Sequence, residues 1–251
     1  MNNGLESLTV KSPRTPPNVR VKKDVRDFLE ALEYDVVTQL IIRGQYAFNP
    51  QVYEQGDLDD MLLHHEIGYS KPRFRRYAHP TERPFNEKLE PPAAEKRVFK
   101  DVHLDDYKLI RMSAKIMDGY MGLLPNLCLE EDDEQHGSSV EHDIPALMTI
   151  ATRIHSGIYV AEMKYLNNPE LFDSLIASRD RDELLKEIRD KPQEDNVLER
   201  VHEEVISQNK GRENKSRFRT IQPEVVVDLF RDAIIPLTKE VQLLYLLNRA
   251  A

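Results

Sequence analysis

The chain has 251 residues and a formal charge of −9, so it can bury a substantial core but carries no broad attraction for nucleic acid. Hydrophobic residues make up 40% and charged residues 31%, with only 9 glycines, a balance that favours helices over a turn-rich β fold. One cysteine, Cys128, excludes an internal disulfide and any multi-cysteine metal site, and no apolar run reaches the roughly 18 residues that span a bilayer.

Residues 1–20 are polar and proline-bearing, without periodicity, and read as a disordered tail ahead of a single domain over 21–251. From Asp24, Val25, Phe28, Leu29, Leu32, Val36, Leu40 and Ile41 recur at three- and four-residue steps, predicting a helix that runs until Asn49-Pro50 stops it. A shorter helix is expected over 57–70. A basic, proline-punctuated stretch from Lys71 to Pro84 then leads into irregular chain to about residue 100. Helical spacing returns over 104–122, through Leu104, Tyr107, Ile110, Ala114, Met117 and Met121, and an acidic loop, Glu130 to Glu134, follows. One long helix is then expected to end near Asn167-Asn168-Pro169, with shorter ones over 169–177 and 180–189. Pro192 suits the first turn of a helix running to about Gln208. Lys210 to Arg219 reads as a charged loop, and a final helix runs from Gln222-Pro223 to about Asn248, kinked by Pro236. Nothing reads as a strand. The fold class is all-α.

The long helix before Asn167 carries the most informative pair. Arg153 and Lys164 are eleven residues apart, which at 100° per residue returns to within about 20° of one face. That side is otherwise apolar, with Leu147, Ile150, Ile154, Val160 and Ala161. Cations beside an apolar stripe need negative partners, either carboxylates of neighbouring helices or a small dianionic ligand. Asp190 and Glu194 share one helix face, Thr238 and Gln242 another, and Arg26 lies beside the stripe of the first helix. Polar groups at four apolar faces are what a site inside a helical bundle requires. Taken singly, Asp190 also fits a helix cap, and Thr238 also fits a hydroxyl bonded to its own backbone.

Other clusters carry less. In His64-His65-Glu66 and Glu141-His142-Asp143, adjacent helical residues diverge by about 100° and cannot jointly grip one ion, so no metal is expected. The acidic loop lacks the glycine and alternating oxygens of a calcium site. Lys71 to Arg76 reads as an anion-binding stretch rather than a nucleic-acid one. No Gly-rich phosphate loop, G-x-S-x-G or Cys–His signature is present.

Several blocks together resemble the eukaryotic-type, all-helical AroQ class of chorismate mutases. They are Arg26 to Glu33, Arg75-Arg76, Gly137-Ser138, Arg153-Ile154-His155 through Ala161-Glu162-Met163-Lys164, Leu198-Glu199-Arg200, and Ile235 to Val241 through Tyr245-Leu246-Leu247. The resemblance covers roughly residues 24–249 and implies a helical homodimer that converts chorismate to prephenate, towards phenylalanine and tyrosine, without a cofactor. By that resemblance Arg26 and Arg153 bind the substrate carboxylates, and Lys164 contacts a carboxylate and the ether oxygen. Glu194 bonds the ring hydroxyl, Asp190 and Thr238 line the substrate site, and Gln242 is the second ether-oxygen contact. Fungal relatives often carry Glu where Gln242 stands.

The resemblance also implies an effector site between subunits, formed by Arg75, Arg76, Gly137 and Ser138. Here Glu141 replaces a Thr, and Glu134 and Gln135 replace a pair of Asn, so this site reads as degraded. Neither a membrane nor a nucleic acid is an expected partner. Without an apolar signal core at the N-terminus the expected location is cytoplasmic, with secretion as the alternative if a signal peptide has been removed.

Overall fold

A computed structural model describes residues 15–71, 74, 76, 77, 79, 81–86, 89, 102, 103, 109–130, 132–212 and 217–249. Most of the stretch read as a tail, residues 1–14, lies outside them. Residues 15–20 belong to the folded part, with Pro17 and Val19 buried and the Asn18 N–H donating to Asp24 Oδ2 at 2.6 Å. Among the described residues the regular structure is helical, with one isolated parallel bridge between Ala47 and Leu129.

Helix α1, Lys22–Arg43, buries Val25, Phe28, Leu32, Val36, Val37, Leu40 and Ile41, the apolar face expected of it. It stops six residues short of Asn49 because Arg43 turns the chain back. The Arg43 guanidinium donates to the carbonyls of Tyr46 (3.4 Å), Ala47 (3.1 Å) and Phe48 (3.5 Å), groups that a continuing helix would use itself. It is fully buried and held in turn by Asp143 at 2.5 Å, a carboxylate that also accepts from Tyr53 and Tyr120. This network fastens the end of α1 to the middle of the bundle.

After α2, Gln51–Glu54, α3 spans Asp57–Tyr69, close to the expected bounds. Helix α4 is Ser113–Leu127, later than the sequence spacing suggests. Ile110 and Met112 are buried two residues apart, the period of extended chain, so residues 110–112 contribute to the core without being helical. Positions 104–108 of the expected helix lie outside the described residues.

The single long helix expected to end near Asn167 is two helices, α5 at His136–His155 and α6 at Gly157–Asn167. They meet at Ser156, whose hydroxyl donates to Thr152 O at 2.7 Å, and a back-bonded Ser followed by Gly is a common cause of a bend. Ser156 keeps a right-handed helical backbone (φ −65°, ψ −8°), so the faces of α5 and α6 stay nearly in phase. Helices α7, Pro169–Ser178, and α8, Arg181–Ile188, follow the sequence closely. So does α9, Lys191–Lys210, with Pro192 in its first turn.

The last helix runs without a break in sequence but changes type. Helix α10, Pro223–Leu229, passes through a π-helical turn, Phe230–Ile234, into α11, Ile235–Leu247. Pro236, the residue expected to kink this helix, lacks an N–H and crowds the carbonyl four residues back, and the wider turn ahead of it accommodates that clash. Helix α1 packs on α5 and α9, and α11 packs on α5, α6 and α8. One apolar cluster runs through all of these contacts.

Candidate active site

A cavity of about 220 Å³ opens between α1, the α5–α6 bend, the α8–α9 junction and α11. It is lined by Arg26 from α1, Arg153 from α5, Lys164 from α6, Asp190 and Glu194 at the start of α9, and Thr238 and Gln242 from α11. All seven residues singled out from the sequence therefore face one space. Val25, Leu29, Val160, Val197 and Ile235 supply apolar walls, which weaken solvent screening of the charges between them.

Arg153 is only 4% exposed. Its Nη2 donates to Glu33 Oε1 at 2.8 Å, and Glu33, equally buried, also accepts from Arg200 Nη2 at 2.7 Å. A carboxylate on a neighbouring helix thus meets one side of the guanidinium, as the simpler of the two expectations had it. The other side is different. Arg153 Nε and Nη1 are buried with no partner, and such donors are costly unless a ligand meets them.

Lys164 is held from behind. Its Nζ donates to the carbonyls of Ile188 and of Glu187 (3.3 Å), the free acceptors at the C-terminus of α8. An ammonium has three donors, so a third remains. Burial lowers the Lys164 pKa from the ordinary lysine value, Asp190, Glu194 and Glu187 oppose that shift, and Lys22 adds to it.

The acidic wall is also anchored. Asp190 caps α9, its Oδ1 accepting the Gln193 N–H at 3.2 Å. Glu194 accepts from Lys239 Nζ through both oxygens, each at 3.1 Å. On α11 the Thr238 hydroxyl donates to Ile234 O at 2.6 Å, the local bond that its sequence allowed, while its side chain still borders the cavity. The Gln242 amide donates to Thr238 O at 3.3 Å with one N–H, leaving its second N–H, and its Oε1 is buried without a partner. Arg26 is exposed at the rim, 3.9 Å from Glu30.

No protein-family model matches the chain. Among curated proteins, a chorismate mutase of Schizosaccharomyces pombe is 32% identical over 244 residues, covering 90% of this chain and 95% of that protein. The chain belongs to the chorismate mutase family. Another member, from Emericella nidulans, is 32% identical over 252 residues, covering 90% of this chain and 91% of that one. Among solved structures, the chorismate mutase of Candida albicans in complex with L-Trp superposes with a TM-score of 0.80 at 29% identity, covering 91% of each chain.

Glu33, Arg200, Lys239 and Lys22 also line the cavity, and none of them is assigned a role in the site from the sequence, although the first three lie in the blocks that carry the family resemblance. Glu33 carried a usable signal: it stands seven residues after Arg26, on the same face of α1, as an acid inside an apolar stripe. Lys239, one residue after Thr238, has no sequence feature that separates it from a solvent-facing lysine.

Among the described residues assigned to an effector site, no hydrogen bond or ion pair joins Arg76 to Gly137, Ser138 or Glu141. Arg75 lies outside the described residues. Arg76 follows α3, stands 3.9 Å from Glu82 and lies over the Tyr69 ring at 5.7 Å. Gly137, Ser138 and Glu141 sit in the first turns of α5, with Gly137 and Glu141 exposed and Ser138 half-buried.

Proposed function

We propose that this protein converts chorismate to prephenate in this cavity, by orienting the substrate and stabilising charge. The observation that carries the reading is the buried Arg153, with two unpartnered N–H donors, in one cavity with Lys164 and Gln242. Chorismate is a dicarboxylate, and its rearrangement needs neither a nucleophile nor a proton transfer. Arg26 and Arg153 hold the two carboxylates and fold the side chain over the ring, which is a contribution of orientation. As the C–O bond breaks, negative charge grows on the ether oxygen, where the third Lys164 donor and the Gln242 amide favour the transition state over the ground state. Glu194 accepts from the ring hydroxyl, and Asp190 and Thr238 border the substrate.

Loss of chorismate absorbance with purified protein, matched by prephenate formation, tests the reading. Intact chorismate after prolonged incubation would overturn it.

The active form we propose is a homodimer. Met61, Ile67, Tyr69 and Phe74, on and just after α3, are 40–51% exposed, an apolar surface that a second copy would cover. Sedimentation equilibrium distinguishes this from a monomer.

A further inference from the structure

Two lysines and two carboxylates share the wall where α9 begins. Glu194 gives both oxygens to Lys239, and the pair is half-buried, with side chains 18% and 25% exposed. Lys164 gives two of its three donors to the α8 carbonyls, yet Glu194 and Asp190 lie close enough to act on its charge. An ammonium and a carboxylate sharing a poorly solvated cavity attract strongly. Left to themselves, Lys164 and Glu194 would pair.

We propose that Lys239 is a positioning residue that keeps Glu194 from pairing with Lys164. This rests on the mutase reading and deepens it. By taking one lone pair from each Glu194 oxygen, Lys239 keeps the carboxylate on the α11 side of the cavity and leaves its other lone pairs for the ring hydroxyl. Lys164 then keeps an uncommitted donor for the ether oxygen. Pairing of Lys164 with Glu194 would neutralise the cation that must meet developing charge, so turnover would fall even with substrate bound.

The other charges around Lys164 do not replace this division. From α1, Lys22 and Arg26 are exposed cations with no claim on Glu194 among the described contacts. From α5, Arg153 gives Nη2 to Glu33 and makes no bond to Glu194. Asp190 is tied to the α9 backbone as a cap, and Glu187 lies on α8, where its carbonyl already receives Lys164. Lys239 is the cation that contacts Glu194.

The test is the pH profile of kcat and kcat/KM for prephenate formation by the full chain, compared with Lys239→Met, Lys239→Arg, Glu194→Gln and the Glu194→Gln/Lys239→Met double variant. Lys239→Met is expected to lower kcat roughly tenfold or more. Its alkaline limb, set by loss of the Lys164 proton, should move up by about half a pH unit or more, because Glu194 then stabilises the charged lysine. Lys239→Arg should restore both. In the Glu194→Gln background, removing Lys239 should leave the limb where it was. If Lys239→Met does not fold, Lys239→Gln takes its place with the same expectations. A loss of activity with an unmoved limb, or an equal movement in the Glu194→Gln background, overturns the proposal. An inactive parent protein would instead strike the mutase reading itself.

Discussion

Arg153 and Glu33 form a half-used pair: Nη2 donates to Oε1 at 2.8 Å, while Nε and Nη1 of the same guanidinium remain buried without a partner. Glu33 is shared, since its Oε2 accepts from Arg200 at 2.7 Å. The two partners should therefore differ in what their loss costs. Glu33→Ala strands a buried guanidinium and is expected to destabilise the fold by about 3–5 kcal/mol. Arg153→Ala leaves Glu33 still paired with Arg200 and should cost about 1–2 kcal/mol. Chemical denaturation of both variants measures the difference, and equal losses would mean that Arg200 does not sustain Glu33.

The catalytic consequence runs the other way. Arg153→Ala removes a donor to a carboxylate, and Lys164→Ala removes the cationic donor to the growing charge on the ether oxygen, leaving only the neutral Gln242 amide there. Each should slow turnover by about 10²–10³ while circular dichroism stays that of the parent. A folded variant with a rate within about threefold of the parent would take that residue out of the machinery.

The sequence made the site more legible than the paths of the helices that build it. Arg153 and Lys164 could be placed on one face from spacing, and that survives the bend at Ser156 because the backbone there stays helical. Asp190, Glu194, Thr238 and Gln242 were readable as same-face pairs for the same reason, and their meeting in one cavity came from the family resemblance rather than from spacing. The bend itself, the early end of α1 and the late start of α4 were not readable. The last two are set by tertiary partners, Asp143 a hundred residues from Arg43 and the core around Ile110 and Met112. The bend rests on a local bond from Ser156 to Thr152 O, which the helical spacing of the apolar residues does not signal. Lys239 escaped notice because its partner, Glu194, is 45 residues away on another helix.

Gly157 ties the bend to the far wall of the cavity. A Cβ there would stand 2.7 Å from the carbonyl oxygen of Thr238, a backbone atom that cannot swing aside. Gly157→Ala gains about 1 kcal/mol of helix propensity but loses about 1–3 kcal/mol to overpacking. The balance favours destabilisation, with a fall in kcat as Thr238 and Gln242 are pushed from place. Gly122→Ala on α4, where nothing lies within 4 Å, should instead be neutral or stabilising and leave kcat unchanged. Thermal melts and steady-state rates for the pair check this. A Gly157→Ala protein as active and stable as its parent would show that α6 and α11 can part at no cost.

Response to aromatic amino acids should be weak. Glu141 lies one turn from Gly137 and Ser138 on the exposed start of α5, so an arginine offered from a second copy meets a carboxylate before it meets a ligand. Allosteric coupling commonly changes affinity by about 5- to 150-fold. Here millimolar tyrosine or tryptophan should change half-saturation by chorismate by less than about fivefold. A larger change that disappears in Arg76→Ala would show that the effector site works despite Glu141.

The last expectation concerns the donor at the ether oxygen. Gln242 is 5% exposed, fixed through Thr238 O, and its amide does not titrate, so it imposes no acid-favouring limb on activity between about pH 6 and pH 8. Gln242→Glu puts a carboxyl in the same buried place. Only its protonated form can donate, and burial raises its pKa above the usual value near 4.3. The variant should therefore be active on the acid side and lose activity as pH rises through that raised pKa, because the ionised form turns a donor into a negative charge facing the developing one. Rates measured from about pH 4.5 to pH 8.5 on both proteins separate the cases. A variant whose profile overlays that of the parent would remove Gln242 from the ether contact and leave Lys164 as the donor there.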